Sequence, residues 1–188
     1  MSEHHDKNGS IFKIAANLTI ACLISGCIIA GTYYVTADTA RKASIKETND
    51  TMKTMVDGST DIKKVDDKEG WYKVYKGSNI AGYIVPEGSK GYGGTIKMLV
   101  AIDTKMKVID YKILSSNETP GLGSNASKDS FENQFEGKDE KHLIVTKDPS
   151  DKDHIEAMSG ATITSKAVTL GVKTAEDELQ KYLAEGGK

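Results

Sequence analysis

Cysteine is almost missing from this 188-residue chain, and the two present, Cys22 and Cys27, both lie inside one apolar run. Five apart on a helix they point to different faces, so they read as helix-packing residues, with a metal site shared with other chains as the alternative, rather than as an internal disulfide. The rest of the chain has no cysteine, which excludes a disulfide framework and a protein-only iron–sulfur site there. Histidine is scarce too: His4 and His5 precede the run, and His142 and His154 read as loop residues. None joins Glu at metal-ligand spacing, so no metal site is expected. Ser159 has no reason to be activated as a nucleophile, and no catalytic side chain is expected. Lys and Arg number 25 against 27 Asp and Glu, a net charge of −2, which gives no case for nucleic acid. Aromatic residues are few and mostly Tyr. No internal repeat is evident at periods of about 20–50 residues.

Apolar length is present near the start. Ile14 to Val35 is 22 residues without a formal charge, long enough to span a membrane. Tyr33 and Tyr34 close it, where interfacial aromatics belong. The competing reading is a cleaved signal peptide with Val35-Thr36-Ala37 as the small-residue site, but the apolar core exceeds the usual h-region of roughly 7–15 residues. A retained anchor is expected. Lys7 and Lys13 precede it, and Arg41, Lys42 and Lys46 follow it, so charge counting alone leans toward a cytoplasmic C-terminal side. The chain divides into a tail (1–13), the transmembrane anchor (14–35), a polar helical stalk (36–56) with Ala40, Ala43, Ile45, Met52 and Met55 as a thin apolar stripe, and a domain (57–188).

In the domain, 71–76 and 79–85 read as strands of a hairpin turning at Gly77-Ser78. Thr95 to Asp103 is a third strand with Ile96, Met98, Val100 and Ile102 on one face, and Met106 to Leu114 a fourth. Ser127 to Phe135 reads as a short helix and Leu143 to Thr146 as a fifth strand. Ala167, Val168, Gly171, Val172, Ala175, Leu179 and Leu183 recur at helical spacing, with Ser165 as the candidate N-cap. The expected fold is α+β: a mainly antiparallel sheet with flanking helices, preceded by one N-terminal transmembrane helix.

Three stretches combine small residues with hydroxyls or carboxylates. Gly88-Ser-Lys-Gly-Tyr-Gly-Gly94 reads either as a flexible hairpin turn or as a backbone shelf for a flat cofactor, with Tyr92 lending a face; its glycines lack dinucleotide spacing. Glu118-Thr-Pro-Gly-Leu-Gly123 suits a Pro-Gly turn. Glu156-Ala-Met-Ser-Gly-Ala-Thr-Ile-Thr-Ser165 reads as a capped helix start, or as an anion site where free N–H groups and positive partial charge meet a phosphate.

Taken together and in this order, the three stretches resemble the FMN-binding domain shared by the G subunit of the Rnf complex and the C subunit of the sodium-pumping quinone reductase. The resemblance spans roughly Trp71 to Leu183. It implies FMN joined by a phosphoester to Thr162, the Thr that closes Ser159-Gly160-Ala161-Thr162, with Thr164 as the nearest alternative acceptor. The family usually has Asp three residues before the Ser; here Glu156 keeps the carboxylate but lengthens it, and Asp153 is a less suitable substitute. Glu118, Thr119 and Leu122 would contact the flavin ring, amides of Gly121 and Gly123 would add donors, and Tyr92 and Gly93 belong to a weaker third feature. His154 reads as a solvated residue that could instead approach the phosphate. The short segment between stalk and domain favours Rnf, whose complexes pass electrons from reduced ferredoxin toward NAD, coupled to outward ion movement. The implied role is a redox relay subunit with covalent FMN, on the outer face of the inner membrane, with a cytoplasmic N-terminus. Its partners would be the other membrane subunits, including a second covalent-FMN subunit, and a flavin transferase for maturation. The alternatives are the quinone-reductase subunit, an anchored flavoprotein of a stand-alone reductase, and a flavin-free structural protein.

Overall fold

The computed structural model describes residues 7–187, so His4 and His5 lie outside the described residues. The chain forms two compact units, one ending at Glu47 and one beginning at Thr48. In the first, the apolar run and the polar stretch after it form one continuous helix, α1 (Lys7–Met55), whose last turns enter the second unit. The helix is long and apolar enough to cross a membrane, and nothing in its most apolar window is buried. Thr19 and Thr32 donate their hydroxyls to the carbonyls four residues back, Ala15 and Ile28, at 2.9 and 2.8 Å, so these polar side chains are satisfied within the helix itself.

The second unit is built on an antiparallel meander of five strands: β1 (Asp61–Lys64), β2 (Tyr72–Lys76), β3 (Asn79–Lys90), β4 (Thr95–Asp103) and β5 (Val108–Ser115), side by side in chain order. The hairpin at Gly77-Ser78 forms as expected, with Gly77 at a φ of 62° that suits glycine. β3 runs on through Pro86, beyond its last residue paired with β2, where a missing N–H disrupts no ladder on that side. β4 buries both faces. Ile96, Met98, Val100 and Ile102 join the larger core, while Leu99 and Ala101 join Met52, Met55, Val56, Val74 and Ile84 in the smaller one. Two residues of the stripe assigned to the stalk are therefore core residues of the second unit.

The remaining elements cover the larger core: a 3₁₀ turn (Gly123–Ser127), α2 (Asp129–Glu132) and α3 (Thr162–Ala184). Val168, Val172, Ala175 and Leu179 of α3 are fully buried, as their spacing predicts. Gly171 lets α3 lie close to the sheet, since a Cβ there would meet Met98 Cε at 2.9 Å. Tyr111 on β5 donates to the Ala126 carbonyl at 2.5 Å and meets Phe135 edge-on at 4.9 Å, which ties the 3₁₀ turn to the sheet.

Three expectations change. The fifth strand of the sheet is β1, and the segment near Leu143 gives only β6 (Val145–Thr146), paired in parallel with β7 (Ile155–Glu156) in a separate two-stranded sheet. Leu143 is buried in the core while the two strand residues are half-buried, so its side chain serves packing rather than strand pairing. The short helix expected over 127–135 is the 3₁₀ turn followed by α2, which ends at Glu132. Ser165 is not an N-cap: α3 begins at Thr162, with Ala161 at the cap position and no side-chain capping bond. Ser165 lies inside the first turn, where its hydroxyl donates to Ala161 O and accepts from Met158 N–H, each at 3.0 Å.

Candidate functional site

The three stretches meet at one end of the meander. The first is the turn between β3 and β4, closed by Gly91 N–H donating to Gly94 O at 2.8 Å. The second is the loop after β5, held by its own bonds. Leu122 N–H and Ser124 N–H both donate to Thr119 O, at 3.1 and 3.2 Å, and Gly121 N–H donates to Ser124 Oγ at 2.9 Å. The third is the turn into α3, where Ala161 N–H donates to Met158 O at 3.0 Å and Gly160 takes a φ of 73°.

Glu118 joins all three. It is 8 % exposed. One carboxylate oxygen accepts from Gly93 N–H at 2.9 Å and the other from the Thr164 hydroxyl at 2.5 Å. The fit leaves no room for side chains around it. A Cβ at Gly91 would lie 2.4 Å from one Glu118 oxygen, and one at Gly123 would lie 2.6 Å from the other. A Cβ at Gly93 would come within 1.9 Å of the Asn117 carbonyl oxygen. The glycines of the turn thus leave room for the Glu118 carboxylate, which Gly93 N–H holds.

Beside this junction opens a cavity of about 600 Å³, lined by Tyr92, Glu118, Thr119, Leu122, Gly123, Gly160, Ala161, Thr162, Ile163 and Thr164, within the size range of small-molecule sites. Tyr92, Leu122 and Ile163 are exposed apolar or aromatic side chains at its rim. The N-terminus of α3 supplies the polar end. The first helical backbone bond runs from Ser165 N–H to Ala161 O. The amides of Thr162, Ile163 and Thr164 therefore have no carbonyl one turn back to bond within the helix. The positive end of a 23-residue helix lies at the same place.

The hydroxyls differ in availability. Thr164 is 2 % exposed and its hydroxyl is committed to Glu118. Thr162, the first residue of α3, is half-buried and lines the cavity. Ser159 is exposed and lines a neighbouring hollow with Asn125, Lys128 and Met158 instead. Gly93 reaches the site through its bond to Glu118 and is not part of the lining. Glu156 sits on β7, with its N–H donating to Gln134 Oε1 at 2.7 Å and its carboxylate 3.8 Å from Lys152; it too faces the neighbouring hollow. His154 pairs with Asp151 at 2.8 Å and lines a different hollow again. The hydrogen bond with His154 holds the Asp151 carboxyl below the usual carboxylate range. Ile163 was not among the expected site residues, and only its placement between two hydroxyls at a helix start signals it. No group of three metal-ligating side chains occurs among the described residues.

Residues 91–177 match the FMN-binding domain family, a segment that contains Gly91–Gly94 of the first stretch and the whole of the other two. The G subunit of the proton-translocating ferredoxin:NAD(+) oxidoreductase complex of Clostridium ljungdahlii is 50% identical over 188 residues, covering 100% of both chains. The G subunit of the Na(+)-translocating ferredoxin:NAD(+) oxidoreductase complex of Acetobacterium woodii is 32% identical, covering 86% of this chain and 88% of its own. Among solved structures, the C subunit of the Na(+)-translocating NADH-quinone reductase of Parabacteroides distasonis superposes with a TM-score of 0.49 at 25% identity, over 60% of each chain. The chain belongs to the family of G subunits of ion-translocating ferredoxin:NAD(+) oxidoreductase complexes and carries that family's FMN-binding domain.

Proposed function

We propose that this chain is the electron-relay subunit of an Rnf-type complex, carrying FMN joined through a phosphoester to Thr162. The observation that carries the reading is the meeting of Thr162, an uncapped helix start and an apolar-rimmed cavity at one point. The residues fit the group. The first-turn amides of α3 suit a phosphoryl anion. Tyr92, Leu122 and Ile163 offer apolar surface for a flat ring, and Thr119 and Glu118 add polar contacts. Bound FMN supplies the redox chemistry.

The chain's own residues hold and orient the group. Forming the ester replaces the proton on Thr162 Oγ1 with phosphorus and releases one water overall. Thr162 is the favoured acceptor because Thr164 is buried and donating, and Ser159 lies outside the cavity lining. A tether at the phosphate end leaves the ring to the exposed rim, where a donor and an acceptor can approach. Glu156, on the surface beside the turn, is placed for recognition by a flavin transferase rather than for contact with the ring. α1 anchors the domain in the inner membrane, with the domain on the extracytoplasmic face. There a covalent link prevents loss of cofactor by dilution. The partners are the membrane subunits of the complex, including a second subunit with covalent FMN.

The test is intact mass of the chain coexpressed with a flavin transferase, beside Thr162→Ala and Thr164→Val. The expected result is one FMN less one water on the wild type and on Thr164→Val, and none on Thr162→Ala, with matching fluorescence in a denaturing gel. An adduct persisting on Thr162→Ala would move the attachment site. Glu156→Asp should retain the adduct.

A further inference from the structure

Glu118 is the one acidic side chain in the cavity lining. It is also the only lining residue bonded to both the glycine turn and α3. Both of its oxygens accept hydrogen bonds, which is the pattern of a carboxylate acting as acceptor only. Neither bond comes from a cation: one donor is a backbone amide, the other a neutral hydroxyl. Glu118 makes no ion pair among the described residues. The Glu118 carboxylate is therefore held in place at the cavity wall with no cation beside it. Charges at such partly buried positions are felt more strongly than on the surface.

We propose that Glu118 is a positioning residue that also lowers the reduction potential of the bound flavin. The inference rests on the reading of the cavity as an FMN site. Two-electron reduction of a flavin with uptake of one proton leaves the ring one charge more negative. A fixed anion in the cavity wall disfavours that change. The Gly93 amide and the Thr164 hydroxyl hold the anion still, and each also offsets part of its field. The same contacts make Glu118 the piece that keeps the β3–β4 turn and α3 in register, so a structural and an electrostatic role must be separated by experiment.

Glu118→Gln separates them. Its amide oxygen accepts from Gly93 N–H and its NH₂ donates to Thr164 Oγ1, so the clamp persists while the charge is lost. Thr164→Val does the reverse, removing one donor and keeping the charge. The full chain, matured with a flavin transferase, is titrated with dithionite at pH 8 for all three proteins, and covalent flavin is read independently by denaturing-gel fluorescence. Glu118→Gln is expected to favour the reduced flavin by about tenfold, which for a two-electron couple is about 30 mV upward. Thr164→Val is expected to shift the equilibrium in the opposite direction, because the anion loses a compensating donor. Shifts of the same sign in both variants, or no shift in flavin-loaded Glu118→Gln, would overturn the proposal and leave Glu118 a structural clamp. If Glu118→Gln does not load, Thr164→Val decides: a downward shift supports the proposal, and an upward or absent shift overturns it. Absence of flavin on the wild type would remove the FMN reading itself, a result the gel reports separately from any potential.

Discussion

The chain holds two long helices with many apolar residues, and they treat those residues in opposite ways. In α1, Leu23 is 63% and Ile24 56% exposed. In α3, Val168, Val172, Ala175 and Leu179 are fully buried while Leu170 remains 60% exposed. The difference lies in pattern. α3 concentrates its apolar side chains on one stripe, which a sheet face can cover. The apolar part of α1 is hydrophobic all round, so no single face of a small domain could cover it, and a bilayer is the solvent that suits it. Only where α1 turns polar does a narrow stripe appear, and there Met52 and Met55 enter the smaller core. The switch from uniform to one-sided apolarity within one helix marks where its surroundings change.

That contrast can be broken from either side. The largest effect is expected from Leu23→Lys with Ile24→Lys. Each charge costs about 2.5–3.5 kcal/mol at the centre of a span, so the chain should leave the membrane fraction on alkaline extraction while the thermal midpoint of the domain is unchanged. Next, Leu179→Ala should destabilise the domain by about 2–5 kcal/mol in urea unfolding, because a fully buried Leu leaves a cavity. Its membrane partition should not change.

Glu176 sharpens the comparison, since it places a carboxyl on the buried stripe of α3. One oxygen accepts from Glu140 N–H at 3.0 Å, and the other has no hydrogen-bond partner among the described residues. Burial first, then the nearby acids Asp139, Glu140 and Asp177, push this carboxyl up from 4.5 to about 7, against the lowering effect of the Glu140 amide. The folded state then binds the proton more tightly than the unfolded one. Its contribution is fully present below about pH 4.5 and is lost as pH rises toward about 7. Glu176→Gln should flatten that slope and raise stability at pH 8 by on the order of 2 kcal/mol, read as unfolding free energy against pH. The smallest effect is expected from Leu170→Ala, which removes an exposed side chain and should change unfolding by under about 0.5 kcal/mol.

Much of this was legible in the chain as written. A charge-free run announces α1, alternation announces β4, and the spacing of Val168, Val172, Ala175 and Leu179 announces the buried face of α3. β1 was not legible, because Asp61, Lys63 and Lys64 give an edge strand that is mostly exposed and without an apolar alternation. Its place comes from pairing with β2. The start of α3 was misread for a related reason. Ser165 is a good capping residue by type, but its hydroxyl bonds the turn before the helix from a position inside it.

At the site, local sequence determined the parts: glycines where the backbone must come close, hydroxyls at a helix start, and an acid ahead of a Pro-Gly turn. Those are properties of short stretches, since backbone freedom and helix-end chemistry depend on near neighbours. Tertiary structure alone decided how the parts are used. Gly93, Glu118 and Thr164 are 25 and 46 residues apart along the chain, and only the folded meander puts one carboxylate between the other two. The same closure commits the hydroxyl of Thr164 and leaves Thr162 at the cavity, a distinction that two threonines separated by one residue do not carry in their sequence.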